Sequence, residues 1–227
     1  MEFLFDTREQ ASKAAAERIA SVLSRRLDQQ KAASLVVSGG TTPVDCFAAL
    51  SETDLDWRRV GVLPSDDRWV PADHADSNEK LIRETLLVGK ASEAELLAFY
   101  ADDVTVEEQA ALLDENIRFV PFPFACCLLG MGADGHFASL FPDADNLDEG
   151  LDLESTTLCL PVRTAASPHA RISLTLAALS RSDEIILLIF GDEKRAVYDR
   201  ARDGDEQFPV TRLLRQKRAP VHLYWAP

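Results

Sequence analysis

The sequence predicts an α/β chain built on a parallel or mixed sheet, and three observations predict it. Short, almost continuously apolar runs recur along the chain, as strands covered on both faces should. Stretches of helical periodicity lie between them. Polar clusters follow directly on four of the runs, and in an open α/β sheet the ligand lies outside the carboxyl ends of the strands.

Taken in order, residues 7–30 set Ala11, Ala14, Ala15, Ile19, Val22, Leu23 and Leu27 at helical spacing with charges between them, which predicts an amphipathic helix. The run SLVVSGGTTP, residues 34–43, predicts a strand and a tight loop, and VDCFAAL after it predicts a helix whose start Thr41 or Thr42 caps. VGVLPSDDRWVP, residues 60–71, repeats the pattern of a buried strand opening into polar residues. SNEKLIRETLL, residues 77–87, predicts a helix capped by Ser77 or Asn78. FACCLLG (124–130) and EIILLIFG (184–191) supply two further strands. The acidic stretch 91–116 and the segment 143–157 carry no comparable cluster and are expected to be solvated surface. Neither a Gly-, Ser- or Pro-rich linker nor an internal repeat divides the chain, so residues 1–227 are expected to form one domain.

Composition narrows the partners. A formal net charge of −14 disfavours nonspecific attraction to nucleic acid or anionic lipid, so an anionic ligand must be met by a local basic cluster. The cysteines, Cys46, Cys126, Cys127 and Cys159, lack metal-ligand spacing and are expected to be reduced and buried. With no basic-then-apolar leader and no run of about 18 apolar residues, a cytoplasmic location off the membrane is expected, as a monomer or weak homodimer.

The clusters SGGTTP, SDDR, GMGADGH and GDEK are expected to converge on one crevice. In the first, Gly39 and Gly40 let the backbone approach a ligand closely, and Thr41 stands before a helix, an arrangement suited to phosphate. In the second, Asp66 and Asp67 beside Arg68 can orient a base, hold a sugar hydroxyl or balance a phosphate. The third, residues 130–136, fits G-x-G-x-x-G. It lies far from the first strand–helix unit, no clean helix follows it, and no acidic residue closes a second strand about 20 positions on, so dinucleotide binding is rejected. Instead, close glycines offer backbone donors for an oxyanion, Asp134 a carboxylate to hold an imidazole, and His136 a base that titrates near neutrality. The four histidines, at 74, 136, 169 and 222, form no metal-ligand motif, and neither metal nor cofactor is expected.

SGGTTP, LPSDDRWVPADHADSN, LLGMGADGHFASLFP, RISLTLAALS and FGDEKRAV occur in this order along nearly the whole chain, which in this respect resembles the 6-phosphogluconolactonase family, within the wider group that includes glucosamine-6-phosphate isomerases. The D-G-H-x-A-S-L-F-P segment is the most specific. The resemblance implies a Rossmann-like, three-layer α/β fold with a mostly parallel central sheet that binds no dinucleotide. It also implies hydrolysis of 6-phospho-D-glucono-1,5-lactone to 6-phosphogluconate, a step of the oxidative pentose phosphate pathway. It further implies Gly39, Gly40, Thr41, Arg171 and Lys194 as phosphate ligands, with Arg68 on the phosphate or across the site, and Asp66, Asp134 and His136 in the chemistry. Asp67 stands where the family commonly has Glu, which shortens its reach, so Asp66 and Arg68 are the stronger site residues.

Lactone hydrolysis needs an activated water, a stabilised oxyanion and a proton for the departing ring oxygen, and His136 can take the water proton and return it to that oxygen. Ser38 and Ser139 lie close enough in sequence to contact substrate. Two rivals remain: a glucosamine-6-phosphate isomerase or deaminase, and a noncatalytic sugar-phosphate binder. The isomerase branch usually carries Asp-Glu-Tyr in place of Asp66-Asp67-Arg68 and Phe-Asn-Glu-Pro in place of Ser139-Leu140-Phe141-Pro142, so this chain sides with the lactonases. Asp134 with His136 speaks against the noncatalytic binder.

Overall fold

The computed structural model describes residues 1–227. In chain order its elements are β1 (Glu2–Leu4), α1 (Arg8–Gln29), β2 (Ala33–Val37), α2 (Val44–Ser51), β3 (Val60–Pro64), β4 (Asp66–Arg68), α3 (Asn78–Thr85), β5 (Glu95–Leu96) and α4 (Val106–Ile117). There follow β6 (Cys126–Leu129), α5 (Leu147–Leu151), β7 (Cys159–Val162), β8 (Arg171–Leu174), α6 (Leu176–Leu179), β9 (Ile185–Phe190), α7 (Asp192–Arg202), α8 (Val210–Arg215) and β10 (Val221–Ala226).

Seven strands form a central sheet in the order β1-β10-β9-β6-β2-β3-β5, with every neighbouring pair parallel. Alternation along the strands sorts their side chains to two faces. Leu35, Val37, Cys126, Leu128, Ile186 and Leu188 pack with α1 and α2 on one face. Val36, Cys127, Leu129, Ile185, Leu187 and Ile189 pack with α4, α7 and α8 on the other. These are the three layers expected, and all four cysteines are buried and unpaired. No helix is long and apolar enough to cross a membrane.

The polar residues SDDR are themselves part of a strand: after β3 the chain turns at Ser65 into β4, which joins β8 and β7 in a separate antiparallel sheet of three strands. Ser65 bridges the two sheets, its N–H donating to Val37 at 2.8 Å and its carbonyl accepting from Leu174 at 2.9 Å. Stretch 91–116 is not merely solvated, because α4 buries Val106, Ala110 and Leu113 in the second core, and Asp114 accepts the N–H groups of Leu158 and Cys159 beside β7. Segment 143–157 likewise holds α5, and Asp143 ties it to Thr164 and Ala165 at 2.5 and 2.9 Å.

β2 and β6 are adjacent, and the order runs from β2 toward β3 on one side and from β6 toward β9 on the other. Their carboxyl ends therefore flank the point where the strand order reverses, and a crevice opens there.

Candidate active site

The crevice has a volume of about 630 Å³ and receives side chains or backbone from all four predicted clusters. Gly39, Gly40 and Thr41 come from the turn after β2; Asp66 and Arg68 come from β4. Asp134 and His136 come from the loop after β6, Arg171 opens β8, and Lys194 lies in the first turn of α7. Asp67 lies outside the crevice lining.

The turn 38–42 exposes its backbone. Ser38 N–H donates to Leu128 across the sheet at 2.9 Å, whereas the N–H groups of Gly39, Gly40, Thr41 and Thr42 meet no protein acceptor. Neither threonine caps α2; its N-cap is Pro43, with no side-chain hydrogen bond, because the helix begins at Val44 and both hydroxyls fall outside the capping position. Gly40 has φ +83°, a conformation that favours glycine. At Gly39 the constraint is space, since a Cβ there would overlap the amide of Asn78.

Asn78 is a crevice residue the sequence did not single out beyond capping. Ser77 is the N-cap of α3, accepting Lys80 N–H at 3.2 Å. Asn78 instead donates from Nδ2 to the Asp66 carbonyl at 2.7 Å and accepts Arg68 Nη1 on Oδ1 at 2.8 Å. Arg68 Nη1 also donates to the Asp76 carbonyl at 3.0 Å, so one end of the guanidinium is anchored while Nε and Nη2 donate to no protein acceptor.

The adjacent aspartates have separate tasks. The Asp66 carboxylate, 5% exposed, accepts Ser65 Oγ at 2.8 Å and Ser139 Oγ at 2.5 Å, with Arg171 Nη1 at 3.5 Å. Asp67 turns away and accepts the N–H groups of Arg68, Asn78 and Glu79 at 2.7, 2.7 and 2.9 Å. Burial pushes its carboxyl up to about 6, against those donors. Ser139 is fully buried between Asp66 and Arg171, which excludes it as an exposed nucleophile; Ser38 lines the crevice.

In the loop after β6, His136 Nδ1 lies 2.6 Å from Asp134 Oδ1. An ionised carboxylate can only accept, so Nδ1 carries the proton and Nε2 presents a lone pair. Burial pushes the Asp134 carboxyl up, and the side-chain and backbone hydrogen bonds from His136 help outweigh it, holding Asp134 below its ordinary value. The imidazole stacks on Phe141 with centroids 4.0 Å apart, and the Arg171 guanidinium lies 5.1 Å from the same ring. Gly132 admits this dyad closely, because a Cβ there would overlap both side chains. The expected glycine oxyanion donors are not available at two positions: Gly132 N–H is taken by the His136 carbonyl and Gly135 N–H by the Gly132 carbonyl, at 2.9 and 3.0 Å.

Three cations, Arg68, Arg171 and Lys194, and two carboxylates, Asp66 and Asp134, line this crevice in a chain of net charge −14. Arg171 Nε is buried without a partner, and burial lowers the pKa of both Arg171 and Lys194. Lys194 has no ion-pair partner within 4.0 Å. Unspent, partly buried donors of this kind suit an anion that brings its own acceptors. Elsewhere, His74 and His169, which show no ligand motif in sequence, come together with Asp76.

A family model described as glucosamine-6-phosphate isomerases/6-phosphogluconolactonase matches residues 6–225. A 6-phosphogluconolactonase of Pseudomonas aeruginosa is 42% identical, the match covering 96% of this chain and 91% of the relative. One from Mesorhizobium japonicum is 40% identical over 98% and 94%. The crystal structure of a 6-phosphogluconolactonase from Shewanella baltica superposes with a TM-score of 0.95 at 37% identity, covering 100% of this chain and 97% of that one. With the fold, the crevice and these likenesses in agreement, the chain belongs to the glucosamine-6-phosphate isomerase/6-phosphogluconolactonase family.

Proposed function

We propose that this chain hydrolyses 6-phospho-D-glucono-1,5-lactone to 6-phosphogluconate, with His136 as the base. The observation that carries the reading is the oriented dyad in the same crevice as unspent anion donors: His136 on Asp134 at 2.6 Å, and the free amides of residues 39–41 with Arg171 and Lys194. Relatives bearing the 6-phosphogluconolactonase name support the substrate.

In this mechanism Nε2 of His136 takes a proton as water attacks the lactone carbonyl carbon, and Asp134 stabilises the resulting imidazolium. The tetrahedral intermediate collapses by breaking the bond from that carbon to the ring oxygen, and His136 returns the proton to that oxygen. The new carboxylic acid ionises to solvent. The amides of Gly39, Gly40 and Thr41, with Lys194 and Arg171, hold the phosphate and so fix the carbonyl relative to His136. Asp66 keeps Arg171 and Ser139 in place, and Arg68 offers its free Nε and Nη2 to the substrate. The working form is a monomer or weak homodimer in the cytoplasm, with no nucleic-acid or membrane partner.

Lactone hydrolysis followed at neutral pH, corrected for spontaneous opening, tests the activity. The rate is expected to survive exhaustive EDTA treatment. Loss of activity on chelation, with recovery on adding metal to a protein that stayed folded, would replace this mechanism with one using a metal-bound hydroxide.

A further inference from the structure

The pairing of β4 with β8 sets Arg68 opposite Arg171, and one step beyond that register Trp69 N–H donates to the Ala170 carbonyl at 2.7 Å. This brings the loop before α3 against the loop before β8. His74 and Asp76 from the first meet His169 from the second, 93 residues away from Asp76 in sequence. One ligand atom from each of the three lies within 4.8 Å of the others. His169 Nε2 is 3.2 Å and His74 Nδ1 3.9 Å from the same Asp76 Oδ2, and the two imidazole rings stand 5.5 Å apart at 77°. None of the three lines the crevice or enters the hydrolytic steps.

We propose that His74, Asp76 and His169 form a binding site for a divalent transition-metal ion of the Zn²⁺ type, acting as a clasp between two loops at the mouth of the crevice. Two imidazoles and one carboxylate are the donor set such ions prefer, whereas Mg²⁺ and Ca²⁺ seek oxygen. Ligand atoms around a tetrahedral zinc with bonds of about 2.0–2.1 Å lie roughly 3.3 Å apart, so closure needs little change between Asp76 and His169 and a contraction of up to about 1.5 Å at the widest pair. All three side chains are partly exposed and free to make it. The His74 Nδ1 lone pair, which now accepts the Asp76 N–H at 3.1 Å, turns to the metal. Arg68 and Lys80 donate to the Asp76 and Asp73 carbonyls nearby and oppose the added charge; the Asp76 carboxylate offsets them. Three protein ligands leave a fourth position for water.

The clasp has a consequence for the crevice. Ala166, in the same loop as His169, lines it, and Arg171 follows two residues on. The Asp76 carbonyl anchors Arg68. A metal at this site therefore ties the loop bearing Ala166 to the segment that positions Arg68, without contact with the reacting groups.

The test is a Co²⁺ titration of the chelator-treated full chain, read by visible absorption and repeated by calorimetry with Zn²⁺. One ion per chain is expected. His74→Ala and His169→Ala should each weaken binding by about 100-fold, since even groups that only orient a ligand are worth 10–100-fold. His136→Ala should bind as the parent does. In the unmodified protein, Co²⁺ should broaden the imidazole NMR signals of His74 and His169 before that of His136, which requires no variant to fold. The absence of binding, binding kept in the His74→Ala/His169→Ala double variant, or broadening of His136 first would each overturn the assignment.

Discussion

Residues 38–42 and residues 130–136 both follow adjacent strands of the central sheet, and both are rich in glycine, yet they leave opposite groups free. In the first turn the side chains are small and the amides of residues 39–42 have no protein acceptor. In the second, the amides of Gly132 and Gly135 are consumed inside the loop, and two side chains, Asp134 and His136, are left facing the crevice. Glycine content alone therefore does not mark a backbone anion site; what matters is whether the turn closes its own hydrogen bonds. One loop is built to bind through the main chain and the other to act through side chains, and this division can be broken experimentally from either side.

The largest effect is expected at the loop whose side chains are free. His136→Ala should lower kcat by about 10²- to 10⁴-fold, the range for a positioned general base, with KM little changed. A folded variant that retains kcat would remove the dyad from the mechanism. Lys194→Ala, at the anion-binding end, should instead lower kcat/KM for the phosphorylated lactone by about 10- to 100-fold, as loss of one charge-assisted contact does. Hydrolysis of unphosphorylated gluconolactone should stay nearly unchanged. Equal losses on both substrates would place Lys194 with the chemistry rather than with the phosphate.

A smaller effect sharpens the comparison at the backbone site. Gly39→Ala forces a Cβ into the Asn78 amide and should destabilise the fold by about 1–3 kcal/mol, the usual cost of overpacking. Removing the obstruction with Asn78→Ala in the same chain should recover part of the loss, so the two substitutions should be clearly non-additive in denaturant unfolding. Strict additivity would mean that the two residues do not meet.

The clusters were legible because each is local: a strand, a turn and a few polar residues within about a dozen positions. SGGTTP, GMGADGH and GDEK all occupy the crevice as their order along an α/β chain requires. What escaped the sequence depends on contacts between distant residues. β4 is three charged residues that become a strand only by pairing with β8 about a hundred positions later. β1, β5 and β7 are two to four residues long, too short to carry a period. The apolar face of α4 was masked by its acidic residues. Phe141 belongs to an apolar turn by sequence, and only the fold brings His136 and Arg171 to its ring. His74 and His169 meet for the same nonlocal reason.

Asp66 and Asp67 repeat the contrast at the scale of one peptide bond, and the second of them gives the smallest expected effect. Asp66 commits its carboxylate to the hydroxyls of Ser65 and Ser139 and to Arg171 in the crevice wall, whereas Asp67 spends its own on three backbone amides around the start of α3. Burial raises the folded pKa of Asp67 to about 6, above its ordinary 3.8, so the folded chain binds this proton more tightly than the unfolded chain does. Its contribution to stability is therefore complete below the unfolded pKa and is lost as pH rises through the folded one. Asp67→Asn removes the titration and replaces one acceptor with an amide nitrogen that faces the Glu79 N–H, or the Arg68 and Asn78 N–H groups if flipped, which costs about 1–3 kcal/mol at any pH. The parent should thus be more stable than the variant at low pH, and its advantage should shrink by about 1.5 kcal/mol between about pH 4.5 and about pH 6, measured by denaturant unfolding at each pH. The subtraction cancels titrations common to both chains, including Asp134, whose lowered pKa acts in the opposite direction at lower pH. An advantage that grows with pH would show that the three amides stabilise the ionised form more than burial penalises it, reversing the order of the two effects at this residue.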